Sequence, residues 1–324
     1  MRTPNSKNPD IDLTTKKFLE EVNALDKPSI PEMTADEARN FLREIQHIYD
    51  YEQEAVVEDI EISTANSETI PLRIVRPAGY ENEELPAIVY IHGGGWVMGD
   101  RYTHLNLIKR LARHTKSAVI FPEYTRSPEA VYPEAINQIY SVLKYIYNNP
   151  TEFNIDNSKI AIAGDSAGGN MAAAIVLKSK NENGPDIKFQ LLLYPVTDAK
   201  MKSDSYKEFE NGPWLTKKSM EYFWKAYLND KKQEEDIYVS PVYAEIDDLR
   251  GLPPALIITN ENDVLRDEGE EYGRKLTEAG VSVMNVRING TIHDCMMLNG
   301  LSQTPPVKAA FYLTCKTLKK VLHN

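Results

Sequence analysis

Apolar positions in this chain fall into two alternating kinds of run. The first kind is short and unbroken: AIVYI (87–91), IAIAG (160–164), QLLLY (190–194) and ALIIT (255–259). Such runs suit strands buried on both faces of a parallel sheet. Eight segments read as strands: Val56–Thr64 and Pro71–Pro77 as a hairpin, then Ala87–His92, Ala118–Tyr124, Ile160–Gly164, Phe189–Tyr194, Ala255–Thr259 and Val281–Ile288. The second kind of run repeats at helical spacing, over 104–115, 132–149, 168–183, 265–280 and 307–322. The alternation predicts an α/β fold, an eight-stranded, mostly parallel sheet flanked by helices.

Two stretches break the alternation. Residues 1–54 read as two amphipathic helices; Thr34 and Glu37 have capping-box spacing at the start of the second, and Phe41, Leu42, Ile45 and Ile48 form its stripe. Residues 197–250 carry Met220, Phe223, Trp224 and Tyr227 at helical spacing, with Trp214 just before. Both are additions to the sheet and are expected to fold over it as a helical cap. The expected division is therefore 1–54 cap segment, 55–196 first part of the core, 197–250 cap insert and 251–324 second part of the core.

Composition narrows the function. The chain has 324 residues, 42% of them hydrophobic, enough for a large core. A net charge of −11 with no basic block argues against nucleic acid and against anionic membranes as partners. Two cysteines, Cys295 and Cys315, make neither a disulfide framework nor a metal motif, and are expected to be buried thiols in a reducing compartment. The opening MRTPNSKNPDID has no apolar stretch of a signal peptide, and no segment approaches the ~18 apolar residues of a membrane helix. These features point to a soluble, cytoplasmic protein.

The chemistry is carried by three loops, each following a strand. Gly164-Asp165-Ser166-Ala167-Gly168 is a G-x-S-x-G between an apolar strand and a helical pattern. A sharp strand-to-helix turn needs small residues two positions either side, and it lifts the serine oxygen to a helix N-terminus. HGGGW (92–96) exposes backbone N–H groups after the third strand, and Ala167 offers another; together they suit an oxyanion site. Of six histidines, His47, His104 and His114 lie in helical patterns, His92 opens the glycine loop and His323 is terminal. His293, just after the last strand, is left as the base. Asp263, directly after ALIIT, is first in line as its acid; Glu261, Asp267 and Glu268 compete, whereas Asp294 adjoins His293 and is not expected to turn back onto its ring.

With these residues the chain resembles the hormone-sensitive-lipase-like α/β-hydrolases, the bacterial family IV carboxylesterases. The resemblance covers about residues 55–320 and rests on HGGGW, GDSAGG (164–169), DVLRDEG (263–269) and His293. The family's Tyr-Arg-x-Ala-Pro-Glu pattern is altered here to Tyr124-Thr125-Arg126-Ser127-Pro128-Glu129, for which only a bracing role is expected. The resemblance implies a serine esterase for short acyl chains, acetyl to about hexanoyl, working through an acyl-enzyme with no cofactor or metal. It implies oxyanion donors from Gly94 and Gly95 or Gly93 and Gly94, plus Ala167, and a helical cap matching the two additions. Trp96, Trp214, Phe223, Trp224 and Tyr227 are expected to line the substrate pocket. Cys295 stands where the family usually has an aromatic residue, and is expected to fill the core. A small-molecule ester is the expected partner, and family members often dimerise through the sheet edge near the last strand. Rival readings are an amidase or a lipase with the same triad, or a non-catalytic small-molecule receptor on the same fold.

Overall fold

The computed structural model describes residues 10–47, 54–64 and 68–324. The strands are β1 Ala55–Ser63, β2 Thr69–Pro77, β3 Leu85–Ile91, β4 Ala118–Pro122, β5 Ile155–Asp165, β6 Phe189–Leu193, β7 Ala255–Asn262 and β8 Val283–Ile292. They form one sheet in the order β1-β2-β4-β3-β5-β6-β7-β8. β2 runs antiparallel to both β1 and β4, and every other neighbouring pair is parallel. β3, β4 and β6 are buried throughout, as continuous apolar runs require, whereas β8 at the edge is half exposed along most of its length.

The helices are α1 Leu13–Asn23, α2 Ala35–His47, α3 Leu105–Thr115, α4 Glu134–Asn148, α5 Ala167–Asn181, α6 Asp204–Glu208, α7 Lys217–Tyr227, α8 Ile246–Leu249, α9 Arg266–Glu278 and α10 Pro305–Leu322. α5 shows no polar stripe, because its first eleven residues are all buried against the sheet. None of the helices among the described residues is long and apolar enough to cross a membrane. Cys295 and Cys315 are free thiols, both buried.

Two strands are longer than their apolar runs. β5 begins at Ile155, where polar residues 156–159 precede the apolar run and Ile155 and Asp156 pair with Leu85 and Pro86. β8 continues through Asn289 and Gly290 to Ile292, which pairs with Asn262 across a register shift in β7. Backbone hydrogen bonding, rather than an apolar run, carries these ends. The consequence is positional: β7 and β8 end directly before Asp263 and His293. The exchange of β3 and β4 in the order also matters. It sets β3 beside β5 with Ile91 opposite Gly164, so their two following loops emerge side by side.

α2 forms as its sequence dictates. The Thr34 amide donates to Glu37 Oε2 at 2.8 Å and the Glu37 amide to Thr34 Oγ1 at 3.3 Å, the reciprocal capping box. Phe41, Leu42 and Ile45 are buried; Ile48 and residues 1–9 lie outside the described residues. At its far end, Gln46 Nε2 donates to the carbonyls of Thr103 (2.6 Å) and Met297 (2.9 Å), while the Asn299 amide donates to Gln46 Oε1 at 2.8 Å. One charged residue faces inward. Arg39, 9% exposed, donates through Nε to the Val97 carbonyl (2.9 Å) and through Nη2 to the Ser127 carbonyl (3.0 Å). Its fork also meets both oxygens of Glu129, at 2.7 and 2.6 Å. Hydrogen bonding from Arg39 holds the Glu129 carboxyl down to about 2. The pair therefore stays ionised in the folded protein until the pH falls toward that value.

Replacing Arg39 with Ala leaves two buried carbonyls without donors, and is expected to destabilise the fold by about 2 kcal/mol. Urea unfolding of wild type and R39A at neutral pH checks this.

Candidate active site

Ser166 sits between the end of β5 and the start of α5 with φ +53° and ψ −120°. A non-glycine residue in that region is strained and persists only where its surroundings force it. The surroundings are two glycines. A Cβ on Gly164 would lie 2.3 Å from the Gly168 carbonyl oxygen, and one on Gly168 only 2.0 Å from that of Ile91. The turn therefore closes on itself and presses against the end of β3, leaving the serine hydroxyl above the sheet.

His293 follows β8 and Asp263 follows β7, so both arrive at the same sheet end as Ser166. His293 Nδ1 lies 2.7 Å from Asp263 Oδ2, and Nε2 lies 2.8 Å from Ser166 Oγ. Asp263 accepts the Nδ1 proton, which leaves Nε2 free to accept from the serine hydroxyl. The Leu265 amide donates to the other oxygen of Asp263 at 3.0 Å and fixes the carboxylate. Tyr194 packs edge-on to the imidazole at 5.1 Å. Burial alone would lower the His293 pKa; the Asp263 and Asp294 carboxylates outweigh it and raise the value to about 9.

The three loop glycines are not equivalent. The Gly93 amide donates to Asp165 Oδ1 at 3.1 Å, so it is not available to an oxyanion, and the expectation that included it is corrected. Among the described residues, the amides of Gly94 and Gly95 have no hydrogen-bond acceptor, and both residues border the cavity at Ser166. The Ala167 amide stands at the first position of α5, before the helical ladder begins. Asp165, fully buried, also accepts from Tyr90 Oη (2.8 Å) and lies 3.3 Å from His104 Nε2. His104, expected as a surface or core histidine, is thus a core one. His92 stacks on Tyr124 at 4.2 Å, and Tyr124 Oη donates to the His92 carbonyl at 2.9 Å. Burial and the neighbouring His104 push the His92 pKa down to about 3, so it braces the loop as a neutral ring. Arg126 Nη1 donates to the Gly99 carbonyl at 2.5 Å, tying down the far end of the loop.

A partly open cavity borders Ser166, with about 480 Å³ of non-atom space that includes open solvent. Ile30, Phe41 and Leu42 from the N-terminal segment and Trp214, Leu215, Ser219 and Phe223 from the 197–250 segment wall it above Ser166. Of the residues expected to line the substrate pocket, Trp214 and Phe223 border this cavity. Trp96, Trp224 and Tyr227 are not, and this is a second correction. Trp96 stacks on Tyr227 (4.3 Å, 7° between planes) and packs on Trp224 at 4.5 Å, under the glycine loop and away from the cavity wall. On α7, Ser219 and Phe223 reach the cavity; Tyr227, one turn further on, has passed its edge. A third correction concerns Asp294. Its backbone is left-handed (φ +62°), and the carboxylate does turn back, with Oδ1 3.3 Å from His293 Nε2. Residue type alone signals neither this hand nor the wall positions Ile30 and Met98. Among the described residues, no group of three His, Cys, Asp or Glu side chains could hold a metal ion.

The chain is similar to several known proteins. A family described by the α/β-hydrolase fold matches residues 88–297. The carboxylesterase NlhH of Mycobacterium tuberculosis is 33% identical over 288 residues, 87% of this chain and 88% of that protein. An arylesterase of Saccharolobus solfataricus is 31% identical over 287 residues, 87% of this chain and 86% of that protein. Among solved structures, a thermostable esterase from Pseudomonas putida superposes with a TM-score of 0.95 at 43% identity, covering 97% of this chain and 98% of that one.

Gly168→Ala forces the elbow away from β3. We expect a destabilisation of about 1–3 kcal/mol by overpacking, read as a lower thermal midpoint than that of wild type.

Proposed function

The chain belongs to the hormone-sensitive-lipase-like family of the α/β-hydrolase fold and is a carboxylic ester hydrolase; from that premise we propose that it cleaves short-chain acyl esters, acetyl to about hexanoyl, through an acyl-enzyme on Ser166. One observation carries the reading: the line Asp263–His293–Ser166 is hydrogen-bonded end to end, and its cavity is bordered by Gly94 and Gly95, whose amides have no acceptor among the described residues.

In the proposed sequence, Ser166 Oγ attacks the ester carbonyl carbon while His293 Nε2 takes its proton. Asp263 holds the ring and balances the imidazolium charge. The carbonyl oxygen becomes an oxyanion held by the amides of Gly94, Gly95 and Ala167. Such donors typically contribute about 3 kcal/mol each to the transition state. His293 returns the proton to the leaving oxygen as the carbon–oxygen bond breaks and alcohol departs. Water then repeats the cycle on the acyl-serine and releases the carboxylic acid. The apolar wall of Ile30, Phe41, Leu42, Leu215 and Phe223 takes the acyl chain. Phe223 closes its end, packed so near the glycine loop that a Cβ on Gly95 would lie 2.3 Å from the ring.

Hydrolysis of p-nitrophenyl esters from acetate to palmitate tests the reading. Wild type is expected to peak at short chains, and Ser166→Ala to lose about a millionfold in kcat. A mutant that retains the activity, or a profile rising to palmitate, overturns it. Phe223→Ala is expected to move the optimum to longer chains, read from the same series. The pH dependence follows from His293. Only the neutral ring can accept the serine proton, so kcat/KM is expected to rise with pH along a limb centred at about 9. Asp294→Asn removes a negative charge that stabilises the imidazolium and is expected to move that limb to lower pH.

A further inference from the structure

Asp294 is a carboxylate with one oxygen committed and one not. Oδ2 accepts the indole N–H of Trp214 at 3.0 Å. Oδ1 is buried and, among the described residues, has no hydrogen-bond partner; the residue is 8% exposed and borders the cavity with Ser166. Its charged neighbour is His293 Nε2 at 3.3 Å, and among the described residues no lysine or arginine pairs with it. Leaving a buried acceptor without a donor is unfavourable, and in a native structure such a group calls for an explanation; bordering the cavity, Oδ1 is placed where a bound molecule could complete it. Its orientation is held firmly. Trp214 has a left-handed backbone (φ +65°) and packs on Phe18 of α1 at 5.8 Å, so the indole fixes Oδ2 and thereby aims Oδ1.

The position of Oδ1 says what would complete it. In the mechanism above, the leaving oxygen of the ester must come within hydrogen-bond reach of His293 Nε2. Oδ1 lies beside that same nitrogen. Groups on the alcohol side of the ester, one or two carbons from the leaving oxygen, therefore pass next to it. A simple alkyl alcohol offers nothing there. A hydroxyl on the neighbouring carbon offers a donor at the right reach.

We propose that Asp294 Oδ1 is a specificity-determining acceptor for a hydroxyl vicinal to the scissile ester, which makes monoesters of vicinal diols, as in partially acylated polyols and sugars, the favoured substrate class. The inference rests on the esterase reading and deepens it. Asp294 adds no bond-making step; it selects what lies beside the bond that breaks. The Trp214 indole also dictates the behaviour of an isosteric variant. In Asp294→Asn the amide oxygen must face the indole N–H, which turns the amide NH₂ toward the cavity. A donor then stands where the acceptor was.

The test compares kcat/KM for 2-hydroxyethyl acetate with that for 2-methoxyethyl acetate, the same ester with its donor capped, and takes propyl acetate as the apolar reference. For wild type we expect the hydroxyl ester to be favoured over the methoxy ester by about tenfold, the usual scale for one buried hydrogen bond made or left unmade. In Asp294→Ala the ratio is expected to fall to about one, and in Asp294→Asn to about one or below. The ratio is internal to each variant, so loss of overall activity or stability does not imitate the result. Equal ratios in wild type and Asp294→Asn, or a wild type that hydrolyses all three esters without preference, overturn this proposal and leave the esterase reading standing. A wild type that hydrolyses none of them, or a Ser166→Ala variant as active as wild type, overturns both.

Discussion

A single buried carboxylate, Asp165, holds the reacting parts of this protein in one place. It is the last residue of β5, adjacent in the chain to Ser166, yet three partners from outside β5 converge on it: the Tyr90 hydroxyl, the Gly93 amide and the His104 ring. Through Gly93 it pins the start of the glycine loop to the serine turn. That commitment uses up one amide and leaves the next two free to face the cavity. The distance between a nucleophile and its oxyanion donors is thus set by a hydrogen bond rather than by chance packing of two loops. Burial opposes the charged form of Asp165, and the His104 and Tyr90 contacts outweigh it, so its pKa lies below the ordinary carboxylate value.

Everything above the sheet is tied to this junction. Arg39 brings α2 down onto the Val97 and Ser127 carbonyls at the far side of the glycine loop. Trp96, itself in a left-handed backbone conformation, carries the loop onto Trp224 and Tyr227 of the 197–250 segment. The N-terminal helices and the insert therefore grip the loop from two sides while supplying the cavity walls. A shift in either segment acts on the oxyanion donors as well as on the acyl pocket.

Much of this was legible in the sequence, for reasons that differ from residue to residue. Ser166 and Asp263 follow strands whose apolar runs are unmistakable, His293 follows the last, half-exposed strand, and the strand ends bring the three to one end of the sheet. The thresholds between strand and loop were less legible where polar residues carry the strand, at 155–159 and at 289–292, because backbone pairing leaves no apolar trace. Helical spacing placed Phe223, Trp224 and Tyr227 on a buried surface but not at a depth along it, so two of the three turned out to support the loop instead of lining the cavity. Three identical glycines could not be told apart until Asp165 was seen to occupy one of them. The turning back of Asp294 depends on a backbone hand that an aspartate adopts only when its surroundings require it.

The Gln46 contacts give the cavity a history as well as a shape. Gln46 meets Met297 and Asn299 across 251 and 253 positions of chain. At synthesis rates of about 5–20 residues per second, the α2 side of the site waits roughly 10–50 s for its partner to be made. Until then the cavity that Phe41 and Leu42 border lacks His293 and Asp294. The chamber therefore cannot be finished until residues 293–299 have been made, and a nascent chain that stops short of them carries the serine turn and the glycine loop without His293 and without the anchor for Gln46.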